Sequence, residues 1–76
     1  MNKQQRVRLK EARSYLDKAS HIVSIVKDEE QDKLDNLDNT NLQNSERYAN
    51  MENAIDELDE AIESIERAAE SIDNAC

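Results

Sequence analysis

Apolar residues recur along this chain on two beats. Leu9, Ala12, Leu16, Ala19, Val23 and Val26 are separated by three and four residues in alternation. These are the a and d positions of a heptad, and so one stripe of an α-helix. The stripe stops at Glu30. A second stripe, Tyr48, Met51, Ile55, Leu58, Ile62, Ile65, Ala69, Ile72 and Cys76, keeps the same alternation without a break. Between them runs DNLDNTNLQN, residues 35–44. Asn and Asp favour local turns and tolerate left-handed backbone, so this segment reads as a connection. The pattern predicts an all-α chain, one hairpin over residues 1–76. Its helices run from about 3 to 34 and from about 45 to 75, with Asn44 or Ser45 as cap and Glu46 in the first turn of the second. Two helices of about thirty residues, roughly 45 Å each, joined by a short connection imply antiparallel, coiled-coil-like packing.

The stripes also suggest a register. Leu9 is set opposite Ile72, Ala12 opposite Ala69, Leu16 opposite Ile65, Ala19 opposite Ile62, Val23 opposite Leu58 and Val26 opposite Ile55. The next layer would set Glu30 against Met51, which predicts looser packing near the turn. In this register the flanking e positions pair Arg6 with Asp73, Arg13 with Glu66, Ser20 with Asp59 and Lys27 with Glu52. Three of those four pairs are of opposite charge and none is of like charge. Such pairs select a register more than they stabilise it.

The other edge is different. Its g positions are Tyr15 and Ile22 on the first helix, with Ala54, Ala61, Ala68 and Ala75 on the second. Two helices leave such a stripe uncovered, and an exposed apolar patch of this length marks an interface. Tyr15, Ile22, Ala54, Ala61 and Ala68 are therefore candidate interface residues. The expected occupant is a second copy, giving an antiparallel four-helix bundle dimer, with a partner helix from another protein as the alternative.

Composition narrows the picture. The chain has 76 residues, one cysteine, one histidine and neither Gly nor Pro. A chain this short buries only about 60% of its unfolded surface and needs a disulfide, a metal or oligomerisation for stability. A single cysteine excludes an intrachain disulfide. One histidine and one cysteine fall short of a zinc site, which takes four N/S ligands. Oligomerisation is left. No apolar run approaches the ~20 residues of a membrane span and no signal peptide is visible, so a cytoplasmic protein that binds no membrane is expected.

Net charge is −8, unevenly spread. Residues 1–18 carry six Lys/Arg and two acids, whereas residues 28–76 carry three Lys/Arg and sixteen acids. Asp56, Glu57, Glu60, Glu63 and Glu70 fall at b, c and f positions, on the solvent side of the second helix. Catalytic carboxylate pairs need pKa values driven apart by burial, which that side does not offer. The Glu-x-x-His pair of a di-metal bundle is absent, because Lys18 stands three residues before His21. The segment DNLDN at 35–39 lacks the glycine of a calcium loop. His21, at an f position, reads as a solvated side chain, and Cys76 as a helix end or an interchain disulfide on oxidation. No catalytic, cofactor or metal residue is assigned. Lys3, Arg6, Arg8, Lys10 and Arg13 could touch phosphates, but the strongly negative whole-protein field opposes direct nucleic-acid binding. A rod of regularly spaced carboxylates instead imitates a phosphate backbone, and fits a basic nucleic-acid-binding groove on another protein. The plainer reading is that the acids keep the rod soluble.

The stretch NLQNSERYANMENAIDELDEAIESIE, residues 41–66, resembles a pattern in short acidic helical-hairpin proteins of low-GC Gram-positive bacteria, their prophages and phages. The likeness covers the turn, the second helix and, more loosely, the first. It implies a mobile-element setting, in which small acidic proteins bind and inhibit host or defence proteins. It assigns a role to no residue. The expectation from sequence is thus a non-catalytic protein that binds other proteins, with a structural oligomerisation module as the alternative.

Overall fold

A computed structural model describes residues 1–39 and 45–76, apart from the side chains of Asp38, Asn39 and Ser45. Two α-helices make up the fold, α1 (Lys3–Asn39) and α2 (Ser45–Ala75). They pack against each other in antiparallel fashion, as two ion pairs far apart in sequence require: Arg13 with Asp73 and Lys27 with Asp59. The molecule is a rod of 59 × 14 × 12 Å. Its radius of gyration is 17.4 Å, against about 11 Å for a compact chain of this length.

The start of α1 is fixed by a reciprocal cap. The Asn2 side-chain oxygen accepts a hydrogen bond from the Gln5 N–H at 2.8 Å, and the Gln5 side chain accepts one from the Asn2 N–H at 3.1 Å. Two of the four donors that every helix leaves unsatisfied at its N-terminus are met in this way. At the other end, α2 carries no basic residue in its last turn. Arg13 of α1 supplies the missing cation there by gripping Asp73, where positive charge suits the helix dipole. The caps expected of α2, Asn44 and the Ser45 side chain, lie outside the described residues.

The first helix does not end at residue 34. It continues through Asn39, so residues 35–39 of the expected connection are helical. The helices are also unequal, 37 and 31 residues long. The register changes with the fold-back point. Arg13 meets Asp73 rather than Glu66, and Lys27 meets Asp59 rather than Glu52. Both acids moved by seven residues, one heptad. Carried along the stripes, the shift sets Leu16 level with Ile72, Ala19 with Ala69, Val23 with Ile65 and Val26 with Ile62. It also leaves the first turns of α1 projecting past the end of α2.

The reason lies at the turn. Leu34, Met51 and Ile55 are buried and form the core cluster, with Leu37 and Tyr48 packed against it. Leu34 and Leu37 are four and seven residues beyond Glu30, so the stripe continues after one extra step of four. A three-four-four step keeps a straight helix facing its partner where a strict heptad would drift. The shifted register gains two leucines at the turn and gives up Leu9 at the open end. Each fully buried leucine contributes about 1.5–3 kcal/mol, so the net gain of one favours this register by roughly tenfold or more. The looser packing expected near the turn is therefore not found; that end is the best packed. Glu30 lies beside it, half-buried and 3.6 Å from Lys33.

Candidate functional site

Two surfaces remain once the helices have packed, an ionic and acidic side and an apolar flank. On the first, Arg13 donates through Nε to both carboxylate oxygens of Asp73 at 3.2 Å and also meets Asp17. Lys27 meets Asp59. The hydrogen bond to Asp73 raises the Arg13 pKa, and the one to Asp59 raises that of Lys27, partial desolvation opposing in each case. Arg6, expected to hold Asp73, does not reach it and forms no ion pair among the described residues, because the register shift carries it beyond α2. Ser20, expected beside Asp59, is replaced there by Lys27.

Beyond this seam stand the expected acidic residues, Asp56, Glu57, Glu60, Glu63 and Glu70, all exposed. Glu63 is 3.9 Å from Arg67, one turn on. The other four have no ion-pair partner among the described residues. Nine acids lie between Glu52 and Asp73 with one basic residue, Arg67, among them. Leaving out the ion-paired Asp59, Glu63 and Asp73, six carboxylates span residues 52–70, one per ~5 Å of helix axis at 1.5 Å per residue. One DNA strand presents a phosphate per ~3.4 Å.

The apolar flank is where the sequence pattern set it, and α1 dominates it. Tyr15 is 61%, Ile22 60%, Ile25 47% and Val26 46% exposed. Ile25 and Val26 were not among the expected interface residues. Val26, expected in a core layer, turns outward at 46% exposure, and Ile25 stands at a c position next to the g edge, which a reading confined to a, d and g passes over. Ala54 and Ala61 are half-buried and Ala68 is exposed on the same side of α2. The Tyr15 hydroxyl donates to Glu11 at 3.3 Å, and the Lys18 ammonium lies 5.8 Å from the Tyr15 ring centre.

Neither surface is shaped for a small molecule. A depression of about 200 Å³ over the turn-end cluster is bordered by Gln31, Tyr48, Glu52 and Asp56, below the ~300–1,000 Å³ of ligand pockets. Two larger ones, about 340 and 530 Å³, run along the first turns of α1 and are lined by residues from that end of the chain alone, with no facing wall. Among the described residues no three His, Cys, Asp or Glu side chains converge as a metal site, and no helix is long and apolar enough to cross a membrane. His21 is exposed, and Cys76 is a free, exposed thiol just past the end of α2. No family model, curated protein or solved structure matches the chain.

Proposed function

We propose that this chain is a small non-catalytic binding protein that uses the acidic face of α2 to occupy a basic, nucleic-acid-binding groove on another protein. One observation carries the reading: a run of carboxylates at near-phosphate spacing, in which Asp56, Glu57, Glu60 and Glu70 have no ion-pair partner among the described residues. A charge engaged inside the molecule is neutral to a partner, whereas these four keep their full field. Complementary fields raise the association rate and choose the partner. The mobile-element setting implied by the sequence resemblance makes a host or defence protein the expected target, and inhibition the expected outcome. Direct contact with nucleic acid or membrane is not part of this reading.

The test is affinity capture from a bacterial lysate at low and high salt, alongside the variant D56N/E57Q/E60Q/E63Q/E70Q. A partner that is captured at low salt, released by heparin and lost with the variant supports charge mimicry. Equal capture by the variant, or retention at high salt, refutes it.

A second reading rests on the apolar flank. Tyr15, Ile22, Ala54, Ala61 and Ala68 then join copies into a dimeric four-helix bundle, and assembly is itself the role. Light scattering separates the two: a stable oligomer beyond dimer that captures no protein favours assembly.

A further inference from the structure

The chain exposes 5810 Å², about 1,000 Å² more than the ~4,800 Å² expected of a folded monomer of its mass. A standard interface takes about 800 Å² from each partner. The rod shape accounts for the excess, which is enough for one interface per copy, and the exposed apolar flank is the place for it. The charges show what covers it. Helix α1 is electrically inverted: Lys3, Arg6, Arg8 and Lys10 crowd its N-terminal end, and Asp28, Glu29, Glu30, Asp32 and Asp35 its C-terminal half. Both groups oppose the helix dipole. The first group projects past the end of α2, and the acidic α2 only worsens the second. A second α1 lying antiparallel brings Lys18 and Arg13, with Lys10 at the margin, alongside the acidic half.

We propose that two copies pair through α1, antiparallel and isologous, about a two-fold axis level with Val23 and Ser24. This rests on reading the apolar flank as a self-interface, and it names the helices, direction and register. Along that flank α1 carries a further heptad stripe, Arg8, Tyr15, Ile22 and Glu29 alternating with Glu11, Lys18, Ile25 and Asp32. Among whole-heptad registers only one avoids like charges and keeps apolar residues together. It sets Ile22 against Ile25 of the other copy, Lys18 against its Glu29 and Tyr15 against its Asp32, each contact occurring twice by symmetry. The neighbouring register would set Glu11 against Glu29. Within one chain Lys18 stacks on Tyr15, and among the described residues it has no carboxylate partner and Glu29 no cation.

The α2 helices agree with this register independently of α1. Through the hairpin pairing, Val23 is level with Ile65, so the same axis crosses α2 between Ser64 and Ile65. Ala61 then faces Ala68 of the other copy, and Ala54 faces its Ala75. The alanine stripe is centred on that point, and small side chains there let the two α2 helices approach closely. The acids at Asp56, Glu60, Glu63 and Glu70 point away from this seam and stay available.

Sedimentation equilibrium of wild type, Lys18→Glu, Glu29→Lys and the double swap tests the arrangement. Wild type is expected to dimerise, each single reversal to raise the dissociation constant by about tenfold, and the double swap to restore it to within about threefold. A monomeric wild type at about 100 μM, far above a specific dimer's dissociation constant, overturns both the self-interface and this pairing. A dimer that the double swap does not restore overturns this pairing alone. Oxidation gives a readout that does not depend on the charges. In a Cys76→Ser background, Ala61→Cys with Ala68→Cys is expected to give a covalent dimer, and Ala61→Cys alone is not. Equal cross-linking by the two variants overturns the register.

Discussion

Replacing Leu34 with alanine tests the feature that decides the fold-back point. Its side chain is 7% exposed and belongs to the core cluster with Met51 and Ile55. Truncation removes about three methylene-sized groups at ~0.8 kcal/mol each, near 2.4 kcal/mol before any cavity cost. In tightly enclosed cores Leu→Ala costs about 2–5 kcal/mol. A two-helix site is open on its outer side and can collapse onto the gap, so the lower half of that range applies, about 2–3 kcal/mol. For a chain of this size 1 kcal/mol shifts the melting temperature by about 4–8 °C. The expected fall is therefore about 8–24 °C, read by circular dichroism at fixed protein concentration, since any association would make melting concentration-dependent. Val7→Ala is the control: Val7 is 58% exposed, and such substitutions change stability by about 0.5 kcal/mol or less. If Leu34→Ala melts within about 2 °C of wild type, Leu34 is not packed in the core. The helix would then end near residue 34, and the heptad-shifted register would be wrong.

Three further outcomes follow from the same geometry. Lys27→Glu lowers the melting temperature and Lys27→Glu with Asp59→Lys recovers it; recovery by Glu52→Lys instead would identify the unshifted register. The bond to Asp59 raises the Lys27 pKa above its ordinary 10.5, so its contribution is complete below that pH and disappears as pH rises through the folded value. The stability difference between wild type and Lys27→Met should accordingly hold up to about pH 10.5 and shrink above it, and a constant difference would contradict the pairing. Asn2→Ala removes the cap of α1, a change that costs about 1 kcal/mol. Because these turns project past α2, the loss should appear as faster amide exchange at residues 4–6 with little change in global melting. A large fall in melting temperature would mean that those turns are packed.

The apolar stripes, the antiparallel fold-back and the apolar flank could be read from the sequence, because each depends only on positions modulo seven. The register could not be read for the same reason. Moving α2 by one heptad returns an a position to an a position and an acid to an acid. Asp73 finds an arginine in either alignment, Arg6 or Arg13, whereas Asp59 meets Ser20 in one and Lys27 in the other. What separates the alignments is at the ends, in Leu34 and Leu37, and these sit in a segment whose Asn and Asp favour turns. Tertiary burial of two leucines outweighed that local preference. Ile25 escaped notice for a related reason: at a c position it belongs to no seam within one chain, and gains meaning only when a second helix is considered. The acidic face was legible as a pattern, but which carboxylates are free depends on the register, and so had to be seen in the fold.

The position of the core cluster also bears on how the hairpin forms. Joining Leu34 to Met51 closes a loop of about 17 residues, whereas joining Leu16 to Ile72 first closes one of about 56, at about 1 kcal/mol more in chain entropy. The cheapest closure and the strongest packing coincide, so the chain zips from its bend outward at the speed of a low-contact-order fold. Opening runs in reverse, and the clasp between Arg13 and Asp73 is the first to let go.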